Sequence, residues 1–168
     1  QIYEAEALIP DNSERALELI TGVDRLAVRG QSDQARYALV VCEAMYHNYI
    51  DSNSDTLSRP MAEYYMLSQN HSERARALYQ HALIVQRMGV DHLAEAMLSL
   101  LEAEKSLDKV DNTRLKGLVC RTKGDIYGKS CLFANALESY KRAKECFKSL
   151  DDEYFSASIT YDIGAIYI

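Results

Sequence analysis

Apolar residues along this chain recur at steps of three and four, the spacing of a helix that buries one stripe and shows the other to water. Ala38, Val41, Cys42 and Met45 form one such stripe. Polar punctuation separates the periodic stretches. Ile2 to Ile9 ends at Pro10, and Asp11-Asn12-Ser13-Glu14 has the form of a capping box opening Glu14 to Ile20. Gly22 and Gly30 bracket a loop, and Ser32 caps a longer helix through Asn48. After a polar turn from Asp51 to Thr56, a helix reaches Gln69, and Pro60 fits its first turn or marks a kink near its start. Asn70 and Glu73 open a helix to Met88, which Gly89 closes. Asp91 caps a helix through Leu107, and Asp111 or Asn112 caps one to Ser130. Two more run from Phe133 to Leu150 and from Asp151-Asp152 to the end. The pattern predicts nine helices, mostly of about 15–19 residues with short connections. No strand-period run, interior linker or low-complexity stretch interrupts them.

A repeat organises the second half. In a 40-residue register Ala96, Leu100 and Ala103 match Ala136, Tyr140 and Ala143, and Gly124, Ile126 and Tyr127 match Gly164, Ile166 and Tyr167. Gly124 and Tyr127 share one helix, and Ala136, Tyr140 and Ala143 line a stripe on the next. Small residues let such helices approach, and the tyrosines fill the gaps beside them, so Tyr127, Tyr140 and Tyr167 are expected in the core. A helix pair cannot bury its apolar face alone, so neighbouring pairs must stack.

These residues resemble the tetratricopeptide repeat, whose pattern is W-x2-L-G-x2-Y…A-x3-F…P. Residues 117–150 match at Gly124, Tyr127, Ala136 and Tyr140, with Ala143 as the further small residue of the second helix. The departures are Cys120 for Trp, Lys123 for Leu and Lys148 for Pro, and a period of 40 where the family has about 34. The resemblance implies one all-α domain, 1–168: a right-handed superhelical solenoid of antiparallel helix pairs. Within it, 1–69 are irregular pairs, 70–110 a degenerate repeat in which Ala82 takes the small-residue position, 111–150 the best repeat, and 151–168 the first helix of a truncated one. The opening is also similar to the N-terminal region of tetratricopeptide proteins of Bacteroides-type bacteria: Ala5 to Ile20, Gln34 to Leu39 and Asn48 to Asp55 carry that likeness. It implies the sensing or assembly part of a larger envelope regulator, extracytoplasmic and often preceded by a lipoprotein leader. A cytoplasmic scaffold is the alternative.

Composition agrees with a folded helical domain and narrows the partners. The 168 residues are 48% apolar and 26% charged, with a net charge of −6, too apolar for disorder. No run approaches the ~20 apolar residues of a membrane span. Residues 105–148 hold 11 of the 19 Lys and Arg and 5 of the 25 Asp and Glu, a local +6 that leaves −12 elsewhere. An acidic domain with one basic segment is not the footprint of a nucleic-acid binder, so none is expected. Cys42, Cys120, Cys131 and Cys146 form no Cys-x-x-Cys and read as thiols packed like small hydrophobes.

Catalytic and cofactor motifs do not emerge. His47, His71, His81 and His92 have no i, i+4 pairing for a metal, and no glycine-rich phosphate loop or nucleophile elbow is present. No enzyme activity and no cofactor is expected; an all-α enzyme is the minor alternative. Asp151-Asp152-Glu153 reads as an acid-decorated helix start, and Asn70-His71-Ser72, a glycosylation sequon by pattern, reads as a cap. Lys141, Lys144 and Lys148 read as a solvated stripe. In the repeat family the first helix of each pair lines a concave groove, so the expected function is binding of a protein or peptide there. Opposite Gly124 and Tyr127 lie Leu118, Arg121, Asp125 and Lys129. The last three form either a clamp for a peptide carboxylate or a self-paired i, i+4 ladder. Tyr37 and His81 join the candidates, and Tyr46, Tyr49, Tyr64, Tyr65 and Tyr79 are further possible anchors. The oligomeric state stays open, a homodimer through one end of the stack included.

Overall fold

Side chains that accept from backbone N–H groups set the helix starts in the structure, a computed structural model that describes residues 1–167. Regular structure among the described residues is entirely helical. The α-helices are α1 (Ile2–Leu8), α2 (Ser13–Thr21), α3 (Gln31–His47), α4 (Ser58–Met66), α5 (His71–Val85), α6 (Leu93–Leu107), α7 (Thr113–Lys129), α8 (Phe133–Ser149) and α9 (Glu153–Ala165), with 3-10 turns at Arg25–Ala27 and Val90–His92. Asn12, Asn70, Asn112 and Asp152 each accept from the N–H three residues on.

The expected elements are present, with local shifts. The Asn70–Glu73 box closes on one side only: the Asn70 N–H donates to Ser68 Oγ, and the Glu73 carboxylate is drawn away to Arg36. Asp91 lies in a 3-10 turn instead of capping, so α6 starts at Leu93. The helix around Pro60 is short, and α5 stops at Val85.

Three helices end alike. After α3, α7 and α8 the residues Tyr49, Cys131 and Asp151 take left-handed backbones, φ 57°, 58° and 53°. The next residue donates five positions back each time: Ile50 to Met45, Leu132 to Tyr127, Asp152 to Phe147. None of the three is glycine, so each turn holds a conformation disfavoured by roughly 1–2 kcal/mol. Orphan carbonyls at the helix end are satisfied in exchange.

Packing runs between neighbours. The α7–α8 contact is the most intimate, because two glycines stand where side chains would collide. A Cβ at Gly117 would lie 2.7 Å from the Phe147 ring, and one at Gly124 would lie 2.5 Å from the Tyr140 ring. Ala136, Ala143 and Phe147 are fully buried beside them. One register earlier Ala96 and Ala103, the counterparts of Ala136 and Ala143, are fully buried too, as is Leu100, the counterpart of Tyr140. Ala75 and Ala82 on α5 and Leu100 and Leu107 on α6 share one core cluster. Other clusters span α1 to α3, α3 to α5, and α7 to α9. The core is thus handed from one helix set to the next. Alternate helices also touch: α1 with α3, α3 with α5, α5 with α7.

The register fails for Tyr167, which is 72% exposed. It sits beyond the last turn of α9, where no described helix covers it.

Because the Tyr140 hydroxyl donates to Asp125 at 2.8 Å, the ring cannot swing from an added methyl. Gly124→Ala should therefore cost about 1–2 kcal/mol even after its helix-propensity gain. Gly164→Ala, where a Cβ meets open space, should gain about 0.5–1 kcal/mol. Thermal melts of the two variants should shift in opposite directions; shifts of one sign would refute the close α7–α8 approach.

Candidate binding cleft

Helices α3, α5, α7 and α9 together line a cleft of about 650 Å³. Tyr46 and Tyr79 meet edge-to-face at 6.2 Å, and Leu115, Leu118 and Phe155 continue the apolar lining. The rim is charged. Arg114 donates to Asp152 at 2.8 Å and holds its guanidinium 5.2 Å from the Phe155 ring centre. Arg87 pairs with Asp51 at 2.9 Å. A guanidinium has five N–H donors, so each keeps several for an incoming acceptor. Aromatic lining with arginine at the edge is the composition of protein-binding surfaces.

One wall is fixed by charge. Glu6 of α1 accepts from Arg36 of α3 at 2.8 Å and from Arg76 of α5 at 2.9 Å. Arg76 also grips both oxygens of Glu43, at 2.7 and 2.5 Å, and Arg36 reaches Glu73 at 2.5 Å. Burial works against the charge of Arg36 and Arg76, but the hydrogen bonds and charges of the three carboxylates outweigh it, so both guanidinium pKa values are raised. Glu43 and Arg76 themselves face the cleft. Sequence reasoning missed this network, since its members lie 30 to 70 positions apart.

The sequence-predicted candidates are not gathered in one place. Leu118 lines the cleft. Arg121 is held by α9, donating to Asp162 and to Ser158 at 2.9 Å each. Asp125 turns towards α8 and accepts from Tyr140, and burial raises its carboxyl pKa despite that bond. Lys129 reaches Gln86 at 3.4 Å. Neither rung of an Arg121–Asp125–Lys129 ladder forms. Tyr37 lies on a separate hollow of about 680 Å³ with Leu57, Met61 and Tyr64 of the α3–α4 region. His81 is buried. The cleft residues Tyr46, Tyr79 and Arg114 carried no local signal beyond their residue type.

His81 belongs to a relay joining three helices. Its Nδ1 lies 3.0 Å from Ser58 Oγ on α4, and its Nε2 lies 3.5 Å from Glu95 Oε1 on α6. Serine, imidazole and carboxylate in line suggest a nucleophile, but Ser58 is fully buried, so no substrate reaches it. The relay ties α4, α5 and α6 together. The cysteines are free; burial pushes the Cys42 thiol up to about 12 and raises Cys120 and Cys146 as well. Among the described residues no three His, Cys, Asp or Glu gather as a metal site, and no helix is long and apolar enough to cross a membrane. Asn70 acts as a cap, and Asp152 caps α9 while pairing with Arg114.

No family model, no curated protein and no solved structure matches this chain.

Arg76→Ala would leave the Glu43 carboxylate nearly buried without its partner. Urea unfolding should show a loss of about 2–4 kcal/mol, and replacing both residues by apolar ones should recover much of it. A loss under about 0.5 kcal/mol would reduce the network to an ordinary surface pair.

Burial lowers the His81 pKa; Arg59 pushes the same way, while Glu95 and Asp55 oppose. The unfolded histidine titrates near 6.5. Below that value the unfolded chain takes a proton that the fold refuses, so stability falls as pH drops from about 6.5 towards the lowered folded value. His47, lowered by desolvation, adds to the same slope. Glu95, held below its usual range by the hydrogen bond from Arg59, adds a loss only at more acid pH. His81→Asn should flatten the stability profile between about pH 5 and 6.5. An unchanged slope would remove His81 as its source.

Proposed function

We propose that this chain is a tetratricopeptide-like module that binds protein or peptide segments, without catalysis, in the cleft lined by α3, α5, α7 and α9. The observation that carries the reading is the alternation itself. The cleft draws its lining from α3, α5, α7 and α9 and the connections beside them, while α4, α6 and α8 contribute no lining residue. That alternation, the core shared between successive helix sets and the buried Gly124–Tyr140 contact support a stack of antiparallel pairs; the right-handed curvature is proposed from the family likeness alone. The Ser58–His81–Glu95 alignment is sealed from solvent, which favours binding over catalysis.

In this reading Tyr46, Leu118 and Phe155 receive apolar side chains, and Arg114 and Arg87 steer acidic groups or a peptide carboxylate to the rim. The predicted clamp moves accordingly from Arg121 and Lys129 to Arg114. The likeness of the opening residues to envelope tetratricopeptide proteins adds the proposal that the module senses or assembles within a larger envelope regulator. A cytoplasmic scaffold would use the same cleft.

Peptides selected from a random displayed library against the full chain test the site. Binders should lose roughly tenfold or more in affinity on Leu118→Glu and on Tyr46→Ala, and keep it on Lys144→Ala of α8. Binders indifferent to Leu118 and Tyr46 would overturn the assignment.

A further inference from the structure

The left-handed turn after α3 differs from the other two in where it stands. Cys131 and Asp151 hold the same backbone at the ends of α7 and α8, and neither lines the cleft. Tyr49 does line it, together with Asp51 and Arg87. The residue is 96% exposed, so its ring touches almost nothing of its own chain.

That placement does not serve the fold. A tyrosine with a φ of 57° sits in the region that glycine and asparagine occupy most readily. Burial offsets none of the strain, whereas Tyr46 and Tyr79 bring their rings together between α3 and α5. The turn itself needs no side chain at this position. The Tyr49 N–H donates to the Tyr46 carbonyl and the Ile50 N–H to the Met45 carbonyl, both backbone to backbone. Glycine would close the same turn with less strain. Strain that the fold does not require, held beside a cleft, is the mark of a functional residue.

We infer that Tyr49 is a binding residue of the cleft, packing its ring on an apolar side chain of a peptide segment while Arg87 takes an acidic group of the same segment. The inference rests on the reading of the cleft as a peptide site and adds the residue that grips the peptide at its rim. The neighbours suit that role. Arg87 reaches Asp51 at 2.9 Å, but 72% of the Asp51 side chain is exposed, and such a pair is weak. A carboxylate of the peptide shares the guanidinium or replaces Asp51, because further N–H donors stay unused. The hydrogen bonds of the turn fix the Tyr49 backbone, and the side chain has only two torsions to order. Its contact area therefore comes at a low entropic cost.

The probe is the set of peptides selected from a displayed library against the full chain and weakened by Tyr46→Ala. Tyr49→Gly should change stability and affinity in opposite senses. Its melting temperature should rise by roughly 2–4 °C as the left-handed strain is relieved. Its affinity for these peptides should fall roughly tenfold or more. Tyr49→Phe, which keeps the ring, should restore most of the affinity that Tyr49→Gly loses. Cys131→Gly relieves the same strain away from the cleft, so it should melt higher and bind as the parent does. A Tyr49→Gly variant that binds these peptides as tightly as the parent would overturn the inference and leave the cleft standing. A Tyr49→Gly variant that melts lower would also overturn it, because the tyrosine would then be serving the fold. If no selected peptide depends on Tyr46, the cleft reading fails and this inference fails with it.

Discussion

Two missing side chains govern the geometry of the most closely packed pair, α7 and α8. Gly117 and Gly124 let the α7 backbone come within reach of the Phe147 and Tyr140 rings, and any Cβ there would overlap those rings. Everything nearby presumes that approach. The Ser130–Leu132 connection reverses the chain with a left-handed Cys131 because the helices it joins lie so close. Tyr140 reaches past Gly124 to donate to Asp125, which turns a loose aromatic contact into a pinned one. Phe147 stacks on Phe155 at 4.6 Å and so passes the position of α8 on to α9. A methyl group lost from sequence thus sets where three helices sit, because dense interiors leave no slack to absorb a shift.

Polar links then join what apolar contact leaves separate. Neighbouring helices share core clusters, but α1, α3 and α5 are also clasped by the Glu6–Arg36–Arg76–Glu43–Glu73 network. Glu104 of α6 does the same for α7 and α8 through Lys123 and Arg142. Arg121 binds α7 to α9. Isolated surface pairs contribute little. These differ in being multidentate and largely shielded, so removing one partner strands a charge. The same clasps hold the cleft wall in place before any ligand arrives, which reduces the ordering cost of binding.

What was legible in the sequence follows from how far each signal reaches along the chain. Caps act over three residues, so Asn70 could be read directly and the Asp151–Asp152 and Asp111–Asn112 starts to within a residue, while the first box, read from Asp11 to Glu14, is made one residue later by Asn12. Gly124, Ala136 and Ala143 were legible through periodicity, and Leu118 through its place opposite them. The charged candidates were not. Arg121, Asp125 and Lys129 stand at spacings that suit a ladder on one helix, yet each finds its partner on another element. A pair formed along an exposed helix is weak, so a distant partner in a shielded setting displaces it. Tyr46 and Tyr79 belong to the half where the repeat is irregular, and their meeting depends on how α3 and α5 pack.

The departures from the repeat pattern carry information of the same kind. Lys123 stands where the family has leucine, and by polarity alone that would count against the likeness. Yet only 6% of Lys123 is exposed. Its methylene stem fills the interior as a leucine would, and its ammonium emerges 2.7 Å from Glu104. Cys120, in place of tryptophan, is buried against Ala136 and Ala143 and occupies far less volume, in a pair already drawn together by glycine. Both substitutions keep the position apolar where it touches its neighbours. A pattern written in residue names misses this, whereas one written in terms of what each position must fill and what it can bond retains both residues.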